Sequence, residues 1–257
     1  MSLKISKALR NAVQERGSFK RVFSNIFLKL YQGSQPATAE AAPTGTLLGI
    51  FSDNAGAITR EVYASGTVTL TGGASGSVDT VAVNGIALLS AAVLFDTSLT
   101  VTAANVATSI NNNPANLFID ATSSGAVITL KARPGMGAAV NGWSVVSTTS
   151  TITKTDANMA SGVTAVNGLK WGDAADGVIV KLPTQTWSGV GLATGTAGWF
   201  RFEGSVTDPG TIDSTETYMR MDGLVATSGA ELNRAVLSIT EGTTYSITDF
   251  SVTFPTL

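Results

Sequence analysis

Neither cysteine nor histidine occurs among the 257 residues, and only 13% of the side chains are charged. Without thiols there is no disulfide framework, no thiolate nucleophile and no structural zinc or iron–sulfur centre. Without imidazole the commonest general base and metal ligand is gone, and serine hydrolysis of the usual kind lacks its base. Catalysis would fall to carboxylates, Lys, Ser, Thr or Tyr. The lack of thiols is tolerated in oxidising and reducing compartments alike, so it leaves the compartment open. Long apolar runs are missing too. The stretch from Ile86 to Phe95 is broken by Ser90 and is far short of the roughly 20 residues of a membrane-crossing helix. The basic N-terminus has no continuous apolar run followed by a small-residue cleavage site, so it does not read as a secretion signal.

What the chain has in quantity is Thr (35), Gly (27) and Ser (25), a composition that favours β structure rich in turns. Its length suits one large β domain or two smaller ones. The net charge of −2 conceals a division. Residues 1–30 hold seven basic side chains against Glu15 alone, net +6, and the remainder holds nine basic against 17 acidic, net −8. A basic arm on an acidic body points to contact with an acidic protein surface, a neighbouring copy's or another protein's, with nucleic acid as the weaker alternative. A solvated helix face explains the same residues. Lys4, Lys7, Arg10, Arg16, Lys20 and Arg21 are the candidate assembly contacts.

Residues 2–16 have helical spacing, with Leu3, Ile5, Ala8, Leu9, Ala12 and Val13 on one stripe. Gly17 is a stop, and Ser18 is placed to cap a second short helix through Phe19, Val22, Phe23 and Ile26. The arm is therefore set at residues 1–25. Strand patterns follow at Phe27 to Tyr31 and Thr46 to Phe51, around a loop at Gln32 to Gly45, and again at Trp199 to Glu203, Tyr218 to Asp222, Val236 to Thr240 and Phe250 to Phe254. Between them lies an Ala/Val/Thr-rich stretch reading strand, strand, helix, strand, strand, with Ala103, Val106, Ala107 and Ile110 on one helical face. The pattern predicts a mainly β protein: an antiparallel β-sandwich of jelly-roll or immunoglobulin-like type built from 26–63 plus 163–257, with a small α+β module inserted at 64–162. Ala-Val-Asn-Gly occurs three times, ending at Gly85, Gly142 and Gly168, at no fixed period. These read as three hairpin turns rather than a repeat array.

Three groups of residues invite a chemical reading. Gly135-Met-Gly137 and Gly189-Val-Gly191 are fragments of a phosphate-binding pattern, but neither lies between a buried parallel strand and a capped helix, and no Walker-type lysine loop exists. Asp173 and Asp176, and Asp208, Asp213 and Glu216, are close enough in sequence to suggest calcium or an acid/base pair, without the spacing of a known cation loop. Trp143, Trp171, Trp187 and Trp199 suit either a sugar-stacking surface or a core. No enzyme constellation, cofactor or metal follows from these.

The segment Leu28-Lys-Leu-Tyr-Gln-Gly-Ser-Gln-Pro-Ala-Thr-Ala-Glu-Ala-Ala-Pro-Thr-Gly-Thr-Leu-Leu48 is followed by Gly191-Leu-Ala-Thr-Gly-Thr-Ala-Gly-Trp-Phe-Arg-Phe202 and by Ala226-Thr-Ser-Gly-Ala-Glu-Leu-Asn233. As a set they resemble a family of structural proteins of tailed-bacteriophage virions. The resemblance covers roughly 1–55 and 165–257. The middle stretch, with Val81-Ala-Val-Asn-Gly85, Ala103-Ala-Asn-Val-Ala-Thr-Ser-Ile-Asn111 and Ala126-Val-Ile-Thr-Leu130, is similar to small modules scattered through phage tail and baseplate proteins. The resemblance implies a non-enzymatic virion component at the neck or tail or on the head surface. Its partners would be copies of itself and other virion proteins, with no membrane. A host-surface or glycan-binding fibre module is the alternative.

Overall fold

The computed structural model describes residues 3–253. The protein is mainly β, with antiparallel sheets and few helices. Its chain divides into two compact units, Met1–Glu61 with Ala165–Leu257, and Val62–Thr164. Each break lies two residues from the boundary set by the sequence pattern.

In the first unit a nine-stranded sheet follows the order Lys4–Ile5, Arg220–Ala226, Gly195–Glu203, Phe27–Gln32, Leu47–Asp53, Trp187–Gly191 and Thr244–Ile247. Two short strands join it off this path, Leu232–Asn233 beside Arg220–Ala226 and Ser238–Ile239 beside Gly195–Glu203. Trp171–Ala175, Val178–Lys181 and Ser251–Thr253 form a second sheet. Phe254, expected to end the last strand, lies outside the described residues. Period-two alternation gives the large sheet two unlike faces. Leu28, Leu30, Phe200, Phe202, Met221 and Val225 enter the apolar core, which also holds Trp171, Trp187 and Phe250. The rings meet tilted or edge to face, Trp171 5.4 Å from Trp187 and Phe250 5.1 Å from Phe202 between centroids, the arrangement their quadrupoles favour. The intervening residues Lys29, Tyr31, Trp199, Arg201, Glu203, Arg220 and Asp222 belong to the opposite face.

The N-terminal segment is not an appendage, and its helix is shorter than the spacing predicted. Lys4–Ile5 is an edge strand, with Lys4 opposite Asp222 and Ile5 opposite Met221. Helix α1 (Lys7–Glu15) starts only after it. Buried Ser6 makes the change of direction: its Oγ accepts from the Leu9 amide at 3.3 Å as an N-cap and from the Arg220 amide at 2.9 Å, and donates to the Tyr218 carbonyl at 3.1 Å. Helix α2 (Phe19–Val22) follows. Leu9, Val22 and Phe23 are 0–3% exposed and lie in the same core as the tryptophans. Each such side chain contributes about 1.5–3 kcal/mol by burial.

The second unit has two four-stranded sheets. Val145–Ser150 pairs with Ser77–Val83, which also pairs with Ile86–Ala87 and Val93–Leu94. The other sheet runs Thr153–Ala160, Ser65–Gly72, Val127–Ala132, Ile119–Ser124. Helix α3 (Leu99–Asn112) buries Ala103, Val106, Ala107 and Ile110, the face the spacing predicts. Ser98 caps it, accepting from the Val101 amide at 3.2 Å. At and just past the other end three asparagines bond backbone groups, and one of these bonds, from Asn116, meets a last-turn carbonyl that helix termination leaves open. Asn111 exchanges two 2.8 Å bonds with the backbone of Ala121, Asn113 donates to the Leu88 carbonyl, and Asn116 bridges the backbones of Ile110 and Ile119.

The Ala-Val-Asn-Gly copies do not form three like hairpins. Asn84 and Gly85 both have positive φ, 50° and 78°, and close the tight turn between Ser77–Val83 and Ile86–Ala87. Asn141 has φ −62° before Gly142 at 83°, and Asn167 is itself left-handed at 57°. Tertiary surroundings, not the tetrapeptide, select the turn.

Candidate assembly surface

The candidate arm cations fold against their own body. Lys4 Nζ donates to the Pro36 carbonyl at 2.5 Å, Lys7 pairs with Glu216 at 3.0 Å and Lys20 with Asp173 at 2.6 Å. Arg10 acts on Glu40: burial would lift that carboxyl, but the Lys7 amide bonded to it and the Arg10 charge hold it below the usual range. Arg16 is half-buried and engaged within the chain. Arg21 is exposed at the end of α2. The charge opposition visible in the sequence is thus met largely inside the first unit, because Ser6 and the strand Lys4–Ile5 stitch the arm to Arg220–Ala226. Lys7, Arg10, Lys20 and Arg21 nevertheless remain exposed. Beside them Ile5, Leu9, Val13 and Phe19, with Arg10 and Gln14, line a groove of about 150 Å³.

Behind the arm, the second face of the large sheet carries a buried layer of ion pairs. Arg201 grips Asp222 through two bonds of 2.8 and 2.7 Å, and both are fully buried. Arg220 holds Asp208 at 2.5 and 2.6 Å. Glu203 takes Lys29 at 2.5 Å and Arg60 at 2.9 Å, and Arg60 sits 4.0 Å over the Phe27 ring. Ser205 donates to buried Glu61. The same guanidinium groups pin the loops that cover the sheet. Arg201 donates to the Ala41 carbonyl at 3.0 Å, and Arg220 donates to the Glu40 carbonyl at 3.1 Å and the Thr211 carbonyl at 2.9 Å. Bidentate arginine suits this double task better than lysine.

The carboxylates considered for catalysis or calcium have structural work. Asp208 holds Arg220, and Asp213 accepts from the Thr217 and Tyr218 amides at 3.1 and 2.7 Å. Glu216 and Asp173 bind arm lysines, and Asp176 stands in a turn with φ 51°. No three acidic side chains among the described residues gather to hold an ion. Trp171, Trp187 and Trp199 are 1%, 0% and 0% exposed, so the sugar-stacking reading of these three is corrected: they fill the interior, and only Trp143 is half-buried, edge-on to Phe118. Gly189-Val-Gly191 lies in the strand Trp187–Gly191, where a Cβ on Gly189 would fall 2.2 Å from the Ile50 carbonyl oxygen. Close backbone approach explains that glycine. Gly135 and Gly137 shape the turn into a short 3-10 helix, Gly137–Val140.

Sequence reasoning missed the ion-pair layer. Its members lie up to 21 residues apart along the chain within each pair of Arg201 with Asp222 or Arg220 with Asp208, and the only available signal was charge at alternate positions of strands otherwise rich in aromatics. No helix among the described residues is long and apolar enough to cross a membrane. Comparison with family models, curated proteins and solved structures gives no match.

Proposed function

We propose that the chain is a non-enzymatic structural subunit of a tailed-phage virion, at the neck or tail or on the head surface, present in multiple copies. In this reading the two sheets of the first unit form the sandwich expected from the strand pattern. The observation that carries it is the arm: core packing fixes it, yet it presents an apolar groove beside exposed Arg10 and Arg21. A preorganised mixed surface of this kind favours association because little order has to be imposed on docking. The sequence resemblance over 1–55 and 165–257 points the same way. Mass spectrometry of purified particles, with light scattering of the isolated protein, tests the proposal. The chain is expected in virions at high copy and as a symmetric multimer in solution. A strict monomer absent from particles removes the reading.

A host-binding module is the second reading. What favours it is the outer face of the second unit's sheet, where Thr67 stands opposite Thr129 and Thr129 opposite Thr122. This hydroxyl ladder offers hydrogen bonds without charge. Retention of the purified protein on host cell envelopes would support it over assembly.

A further inference from the structure

Besides Arg16, four arginines of the first unit are at least half-buried, and they are not alike. Arg60, Arg201 and Arg220 each meet a carboxylate at 2.5–2.9 Å. Arg234 does not. Its Nη1 is buried and has no acceptor among the described residues. Its guanidinium carbon lies 5.5 Å from the centroid of the Tyr245 ring, whose hydroxyl is occupied by the Thr240 amide at 2.8 Å. Burial pushes Arg234 below its usual range, and Tyr245 alone opposes this.

A half-buried cation with no paired carboxylate and one orphaned nitrogen is unfavourable, and the ring face supplies only part of the compensation. The surroundings are open on one side. Arg234 lines a depression of about 240 Å³ together with Asn233, Ser246, Thr248 and Asp249. That depression shares Asn233, Thr248 and Asp249 with a larger one of about 670 Å³, on which Glu231 and Lys181 also border. A planar guanidinium fork matches a carboxylate in shape and charge. Glu231 and Asp249 disfavour a doubly charged ligand by repulsion.

We propose that Arg234 anchors an oxyanion site that takes a singly charged carboxylate, entering from the depression bordered by Asn233, Ser246 and Thr248. The carboxylate belongs either to a small free acid or to an acidic side chain of a second copy. The chemistry is the same for both, and the site does not depend on the virion reading.

Thermal melting of the full chain in acetate against chloride at matched ionic strength tests it. At ten times the dissociation constant the first unit's transition is expected to rise by roughly 3–6 °C. Arg234→Gln abolishes the rise, and Arg234→Lys, which keeps the charge but not the fork, reduces it. If the source is a second copy, light scattering shows a multimer that acetate dissociates and Arg234→Gln prevents. Equal acetate responses in wild type and Arg234→Gln overturn the site as a general salt effect. So does no response in wild type together with identical scattering of the two proteins. An acetate response that appears only after residues 254–257 are removed also overturns it, since the acceptor is then internal.

Discussion

The two units bury their polar groups by opposite means. In the first, full charges are drawn inward and, Arg234 apart, matched, and the same guanidinium groups reach far along the chain: Arg201 holds a carbonyl 160 positions away and Arg220 one 180 positions away. In the second, only seven of 103 residues are charged, and neutral asparagines bind backbone groups 3–25 positions distant. The difference teaches what each loop needs. A loop laid over a sheet from elsewhere in the sequence has no helix or hairpin to register it, so strong directional charge pairs fix its place. A helix end next to its following strand needs only its open donors and acceptors met.

The largest expected effect breaks the charged layer. Arg201→Ala leaves Asp222 buried without its cation and should destabilise the first unit by about 3–5 kcal/mol, measured by denaturant unfolding. Replacing both partners, Arg201→Met with Asp222→Leu, should cost far less, because no charge is stranded. If the single and double variants lose the same stability, the layer is acting through packing alone.

Next comes the arm. Leu9→Ala should cost about 2–5 kcal/mol, the range for a fully buried leucine, and should leave the second unit's transition where it is. Removing residues 1–24 should abolish cooperative melting of the first unit rather than merely weaken association. A loss below about 0.5 kcal/mol for Leu9→Ala would return the arm to the status of a surface element.

Much of this comparison could be read from residues in advance, and the reasons for the rest are physical. Alternation at Phe250, Val252 and along Trp199 to Glu203 located strands, and the stripe Ala103, Val106, Ala107, Ile110 located α3, because period reports directly on burial. The strand Trp187–Gly191 was hidden because its glycines are there for a neighbour's backbone, which propensity cannot express. The helix expected from residue 2 instead begins after Ser6, since pairing with Met221 and Asp222 outweighs local helical spacing. The orphan nitrogen of Arg234 has no sequence signature at all: it depends on which carboxylates fail to approach.

In the second unit, Asn116→Ala is expected to cost about 1–3 kcal/mol, by stranding the Ile119 amide and the carbonyls of Ile110 and Ile119. The change should be independent of salt, in contrast to the exposed pairs Lys7–Glu216 and Lys20–Asp173. A matching loss in the first unit's transition would show that the units do not unfold separately.

Acid sharpens the contrast further. Burial would raise the Asp213 carboxyl, but the Tyr218 and Thr217 amides and the Thr215 hydroxyl hold it below its ordinary value of 3.8. A carboxyl lowered by folding stabilises the native state above its unfolded value, and that contribution disappears as pH falls through the lower folded one. The protection of the Thr217 and Tyr218 amides against hydrogen exchange, taken relative to the intrinsic rate at each pH, should therefore fall below about pH 3.8. Asp213→Asn should lower that protection at neutral pH and leave it nearly indifferent to acid. Unchanged protection across that window would remove Asp213 as the loop's fastener.

The smallest effect is expected from the most drastic change, excision of the second unit. Val62 and Val163 exchange amide bonds of 3.0 and 2.9 Å, so the unit's two ends already lie side by side. In the first unit Thr59 and Val166 are bridged in the same antiparallel sense. A short Gly/Ser linker in place of residues 62–164 therefore closes a gap that the native chain also closes, and loop-closure entropy changes by only about 0.6 kcal/mol per doubling of effective length. The shortened chain should keep the first unit's melting temperature to within a few degrees, its aromatic near-ultraviolet signal from Trp171, Trp187 and Trp199, and its sensitivity to Arg201→Ala. Residues 62–164 made alone should melt cooperatively on the strength of their own aliphatic core. Aggregation of both pieces would mean that the contrast between charged and neutral burial is drawn within one cooperative body, and the differing responses predicted for Leu9→Ala and Asn116→Ala would then merge into a single transition.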